Sequence, residues 1–195
     1  MERRPGRPRD PELDGAILRA ATELLCQEGF AGTSVEAVAE RAGVGKSTIY
    51  RRWPTREDLL LVAGDCMSPC AVDPDTGSLR DDLVALISNL ISVMTTTPAG
   101  ALLAATVDEA ARNIDLRCRF DAFIDARRAP ARRILARAAT RGELRTDLDH
   151  ELVVDLLSGP VFTRLLVTGR PLDPGLPERI VDAVVTGVAA GQPPR

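Results

Sequence analysis

Apolar residues recur along this chain with the three-and-four spacing of helices that bury one face. Leu13, Ile17, Ala20, Ala21, Leu24 and Leu25 make the first stripe. Asp10 followed by Pro11 supplies a capping side chain and a proline at the first helical position, where no amide hydrogen is missed, and Gly29 stops the run. A shorter pattern follows, with Val35, Val38 and Ala39 on one face, Val44 in a turn, and Ile49 and Trp53 four apart on a helix that begins near Lys46. Thr33 and Glu36 have capping-box spacing, and Gly43 offers the permissive backbone that ends a helix. These two short helices must pack together. Thr55 and Asp58 cap a fourth helix, whose run from Leu59 to Ala63 is apolar enough to be buried against both parts of the protein and so to act as a mechanical link.

Beyond a loop at residues 73–77, Ser78 and Asp81 open a strongly periodic helix carrying Leu79, Leu83, Leu86, Ile87, Leu90, Ile91 and Met94. Another helix follows Pro98 and reaches Arg112, and a long one runs from Asp115 to Arg141 with a kink expected at Pro130, which removes one backbone bond. The last two span Glu151 to Val167 and Pro177 to Ala190. The fold class is therefore all-α: a flexible basic arm (1–9), an N-terminal three-helix domain with a helix-turn-helix (10–56), and a C-terminal helical domain (57–195).

Length permits two unequal helical parts, and the net charge of −3 at first argues against a nucleic-acid partner. Its distribution reverses that conclusion. Arg41, Lys46, Arg51, Arg52 and Arg56 occur with no acid among them, and the first nine residues hold four arginines against one Glu. No apolar run follows those N-terminal arginines, so no secretory signal is read and a cytoplasmic location is expected. The uncharged stretch from Leu83 to Val107 contains Ser88, Asn89, Ser92, Thr95 to Thr97, Pro98 and Gly100, which fits two core helices meeting at Pro98 better than a membrane span. Cys26, Cys66, Cys70 and Cys118 are too few and too irregular for a disulfide scaffold. His150 is the sole histidine and stands at a polar helix start, a poor setting for a catalytic base. No catalytic residue, metal or cofactor is indicated.

The candidate chemistry lies on the helix starting at Lys46. Its outward positions, Lys46, Ser47, Thr48, Tyr50, Arg51 and Arg52, are donors, hydroxyls and cations without a carboxylate, as a helix that meets DNA requires. Ala20 to Phe30 (ending Glu28-Gly29-Phe30), Thr33-Ser34-Val35, Ala42-Gly43-Val44, Lys46-Ser47-Thr48-Ile49-Tyr50 and Trp53-Pro54-Thr55-Arg56-Glu57 together resemble the N-terminal domain of the TetR family of bacterial transcriptional regulators. So many matches in one register make a specific signal. The resemblance implies that Lys46 to Arg52 enters the major groove behind Val44, with Ser47, Thr48 and Tyr50 near base edges. Lys46, Arg51, Arg52 and Arg56 would neutralise phosphates, and Thr33 and Ser34 would hold one at the start of the supporting helix. Gly45 stands where the family often has a small hydroxyl residue, and Arg52 where histidine is frequent. Gly6-Arg7-Pro8-Arg9 is similar to AT-hook segments, so Arg7 and Arg9 fit a minor-groove arm, and a solvated tail fits equally.

The C-terminal helices are apolar on more than one side. Leu156, Val161, Leu165, Ile180, Val184 and Val188 are read as a homodimer interface, with an intramolecular core as the competing reading. The run from Leu157 to Gly169 resembles the end of TetR regulatory domains, which implies a two-fold four-helix contact. Leu90, Met94, Leu103, Phe120, Phe123 and Phe162 are read as a pocket for a small apolar effector. The expected device is a homodimer that grips a pseudo-palindromic double-stranded DNA operator, as a repressor, and releases it when the effector binds. Two alternatives stay open: an effector-free architectural DNA binder, and a thiol-responsive regulator acting through Cys66 and Cys70. The arginines at 127, 128, 132, 133 and 137 read as a solvated helix face beside Asp121 and Asp125.

Overall fold

The computed structural model describes residues 11–66 and 72–188. The arm with Arg7 and Arg9, the Asp10 cap, Cys70 and the end of the last helix lie outside these residues. Every regular element described is helical: α1 (Pro11–Gly32), α2 (Val35–Ala42), α3 (Lys46–Tyr50), α4 (Arg56–Cys66), α5 (Leu79–Thr96), α6 (Ala99–Ala110), α7 (Ile114–Thr140), α8 (His150–Thr163) and α9 (Leu176–Val188). The chain divides into two compact units after residue 67.

In the first unit α4 packs on α1, where the Thr22 hydroxyl donates to the Ala63 carbonyl at 3.2 Å and Leu59, Leu60 and Ala63 are buried. The division therefore falls after α4 rather than at residue 56, because separating α4 from α1 would strip apolar core from both. The helical course of α1 breaks at Gly29, whose φ of 70° and ψ of −178° belong to a region open essentially to glycine. Gly29→Ala should lower unfolding free energy by about 1–3 kcal/mol in a urea titration.

That break also relocates a cap. The Thr33 hydroxyl donates to the Gly29 carbonyl at 2.8 Å and the residue is 1% exposed, so the cap of α2 is Ser34, whose hydroxyl accepts from the Ala37 amide at 3.1 Å. At its other end α2 closes with paired bonds from the Gly43 amide to the Glu40 carbonyl (3.1 Å) and from the Val44 amide to the Ala39 carbonyl (2.9 Å). Gly43 makes this closure possible with a left-handed φ of 67°. The reciprocal cap expected at α4 is present: the Asp58 amide donates to Thr55 Oγ1 at 3.1 Å and the Thr55 amide to Asp58 Oδ2 at 3.1 Å.

The second unit is built on α5, α7, α8 and α9, with Leu83, Ile87, Ile134, Leu135, Leu157 and Val181 at its centre. Ser78 caps α5 as the spacing predicts. Helices α5 and α6 meet at 85°, and among the described residues no single helix is long and apolar enough to cross a membrane. α7 keeps helical geometry through Pro130, and α8 passes through Pro160 into one π-helical turn, Arg164–Thr168, that the apolar pattern does not foretell.

The arginines of α7 do more than face solvent. Arg128 and Arg132 reach Glu151 at the start of α8 at 3.1 and 2.6 Å, while Arg133 and Arg137 hold Asp73 at 2.5 and 3.0 Å. Hydrogen bonds from Arg132 and then Arg128 hold the Glu151 carboxyl down at about 2, against an ordinary 4.5. A depressed folded-state pKa stabilises the fold above the unfolded value, and that contribution disappears as pH falls from about 4.5 to about 2. Glu151→Gln should accordingly flatten the acid limb of a stability-versus-pH curve in that window, as read by chemical denaturation at successive pH values.

Candidate DNA interface and apolar cavity

The turn after α2 aims α3. Ile49 is fully buried, fixing one side of this five-residue helix against the unit's core, so the other side is presented outward. Lys46, Ser47, Tyr50 and Arg51 are exposed there, with Thr48 and Val44 half-buried beside them. Gly45 offers no side-chain cap to α3. Lys46 Nζ lies 2.7 Å from Glu36 on α2, and this hydrogen bond pulls the Glu36 pKa down and pushes that of Lys46 up. A phosphate that takes Lys46 must displace a carboxylate.

Four residues expected at the interface do other work. Arg52 pairs with Asp14 on α1 and donates to the Thr48 carbonyl at 3.2 Å, with its side chain 9% exposed. Arg56 donates to the Phe30 carbonyl and, at 2.7 Å, to that of Thr33, and its guanidinium lies 5.1 Å from the centroid of the Phe30 ring. It closes the carbonyl-rich break that Gly29 opens. Thr33, turned inward to the Gly29 carbonyl, has no hydroxyl to offer outside. Ser34 is half-buried with its oxygen already accepting from Ala37.

In the second unit a cavity of about 150 Å³ lies among α5, α7 and α8. Leu90, Met94 and Phe162 line it as expected from the sequence, joined by Leu86, Val93 and Ile124. Leu103, Phe120 and Phe123 do not line it. Phe120 and Phe123 stack on each other with centroids 6.2 Å apart, and Phe120 is buried. The polar members of the wall are Asn89, Ser158, Arg127 and Arg128.

The helix-turn-helix unit and the all-helical second unit each correspond to a known family model. Residues 17–63 match the model for bacterial regulatory proteins of the tetR family, and residues 73–184 match that for the tetracyclin repressor-like C-terminal domain. The chain belongs to the TetR family. It is a helix-turn-helix DNA-binding transcriptional regulator and not an enzyme. An uncharacterised helix-turn-helix transcriptional regulator of Bacillus subtilis, YdeS, is 35% identical over 97% of this chain and 96% of its own length. A DNA-binding transcriptional repressor of Mycobacteroides abscessus is 32% identical over 87% of this chain and 90% of its own. Among solved structures, the TetR family transcription regulator SCO0332 superposes with a TM-score of 0.76 at 35% identity, covering 91% of this chain and 98% of that one.

Within this TetR-family chain, the excess apolar surface predicted on the last helices divides in two. Val161, Ile180 and Val188 are 0, 6 and 5% exposed and belong to the core, because α8 and α9 pack on each other along that side. Leu156 is 50% exposed and Leu152 53%, and with Pro160, Ala183, Val184 and Gly187 they line a shallow apolar groove between the two helices. Leu165 is half-buried outside it. Leu152 is four residues before Leu156, so helical spacing alone could have added it. Nothing in the sequence signals Glu36 as the partner of Lys46, since that contact depends on the angle between α2 and α3. Cys26, Cys66 and Cys118 are free thiols and exposed.

Proposed function

We propose that this regulator is a repressor that binds a pseudo-palindromic operator as a homodimer and leaves it when a small, mainly apolar molecule fills the cavity of the second unit. The observation that carries the DNA-binding half is the outward face of α3, where Lys46, Ser47, Tyr50 and Arg51 stand exposed without a carboxylate of their own helix. Ser47, Thr48 and Tyr50 read base edges, while Lys46 and Arg51 fix phosphates. Arg7 and Arg9 extend the contact into the minor groove.

The groove around Leu152, Leu156 and Val184 supports the dimer, because a two-fold axis there would bury apolar side chains that a lone chain leaves half in water. Leu156→Asp, which sets like charges facing each other across such an axis, should give a monomer by sedimentation and lose operator affinity while keeping its helical circular dichroism. A dimer that survives this change puts the interface elsewhere. Coupling to DNA runs through α4, the last helix of the first unit before the chain enters the second. The effector acts only if the two bound states differ in the spacing of the paired α3 helices.

Selection of bound fragments from genomic DNA tests the reading as a whole. Recovery of a common two-fold symmetric sequence is expected, and fragments without shared sequence would point instead to an architectural DNA binder. Unchanged operator binding across a peroxide titration would dispose of a thiol response through Cys66 and Cys70.

A further inference from the structure

The cavity between α5, α7 and α8 is apolar over most of its wall, yet Arg127 and Arg128 are among the residues that line it. Arg127 lies over the Phe123 ring at 5.2 Å, and Arg128 is 23% exposed, donating to Asp155 at 2.6 Å and Glu151 at 3.1 Å. The two carboxylates differ in what else they have. Glu151 keeps Arg132 at 2.6 Å, whereas Asp155, 60% exposed, has Arg128 as its one ion-pair partner among the described residues.

Resting on the reading of this cavity as the effector site, we propose that it takes a medium-chain amphiphile with an anionic head, which Arg128 holds in exchange for Asp155. Three physical facts lead there. An apolar wall of Leu86, Leu90, Val93, Met94, Ile124 and Phe162 selects a hydrocarbon body, and about 150 Å³ holds roughly five or six methylene-sized groups. The Arg128 Nη1 that Asp155 vacates, with Nη2 still on Glu151, offers a carboxylate or similar anion a charge-assisted hydrogen bond, which is stronger beside a low-dielectric wall than at a surface. Asp155, being mostly in water, recovers hydration on release, so the exchange costs only what a partly exposed ion pair is worth. Release also leaves an unpaired carboxylate on α8 one residue from Leu156, at the edge of the apolar groove.

Calorimetric titration of the full chain with octanoate, octan-1-ol and octylamine tests this. Octanoate should bind about tenfold or more tightly than the alcohol, with the amine weakest. Arg128→Met should erase the advantage of octanoate over octanol. Because that change also loosens the contact between α7 and α8, a second variant is needed: Asp155→Asn should tighten octanoate by about two- to fivefold and leave octanol unchanged. Equal binding of octanoate and octanol by the natural chain overturns the anionic head while leaving an apolar effector site standing. An anion preference that neither variant alters, or a preference for the amine, overturns it as well. Failure of all three compounds to bind removes the effector site itself.

Discussion

Replacing Lys46 and Tyr50 together by alanine should weaken operator binding on the order of a hundredfold or more, because a good base contact is worth about 1–3 kcal/mol and a dimer loses each contact twice. The double variant should still fold. Both side chains are largely outside the core, at 54% exposure for the Lys46 side chain and 44% for Tyr50, and Ile49, which seats α3, is untouched. Salt dependence adds a second readout. Losing one phosphate contact per protomer should reduce the slope of log affinity against log salt by about 2. An unchanged mobility-shift titration would mean that α3 is not the reading helix.

A large loss of stability, in contrast, is expected from Arg56→Met. In this fold Arg56 is a backbone brace, with bonds to the Phe30 and Thr33 carbonyls and its guanidinium against the Phe30 ring. Removing it leaves carbonyl groups at the Gly29 break without donors, and the loss should be about 2–3 kcal/mol once partial exposure is allowed for. The discriminating measurement is again the salt slope. A brace leaves it unchanged when DNA binding is measured below the unfolding temperature, whereas a phosphate contact lowers it by about 2 per dimer. The same comparison applies to Arg52, which is held by Asp14.

These two variants separate what can be read from a charge pattern from what cannot. Arg41 to Arg56 is a block of cations without acids, which locates a positive surface correctly as a region. Within that block only the fold decides which cations face outward. Lys46 and Arg51 sit on the outward side of α3, but Arg52 and Arg56 fall where α1 and the Gly29 break present unmet acceptors, and they turn to them. Thr33 follows the same rule, since its place beside a broken helix end gives its hydroxyl a nearer carbonyl than any phosphate. The pocket differs for another reason. Phe120 and Phe123 are apolar and on the right helix, yet they pack on each other, and no periodicity distinguishes a ring facing a cavity from one facing its neighbour.

What the sequence alone determined is what local chemistry controls. The all-helical class, the number and order of the helices, the caps at Ser78 and Thr55, the turn at Gly43 and the place of α3 all follow from spacing and from a few residues with narrow backbone preferences. Tertiary structure alone decided the partners. It put α4 with α1, sent Arg52 and Arg56 inward, split the apolar excess of α8 and α9 between a core and an open groove, and brought Arg127 and Arg128 to the wall of the cavity. The reason is physical. A helix forms from interactions three and four residues apart, whereas burial and ion pairing depend on which faces meet, over separations such as the 23 residues between Arg56 and Thr33 or the 27 between Arg128 and Asp155.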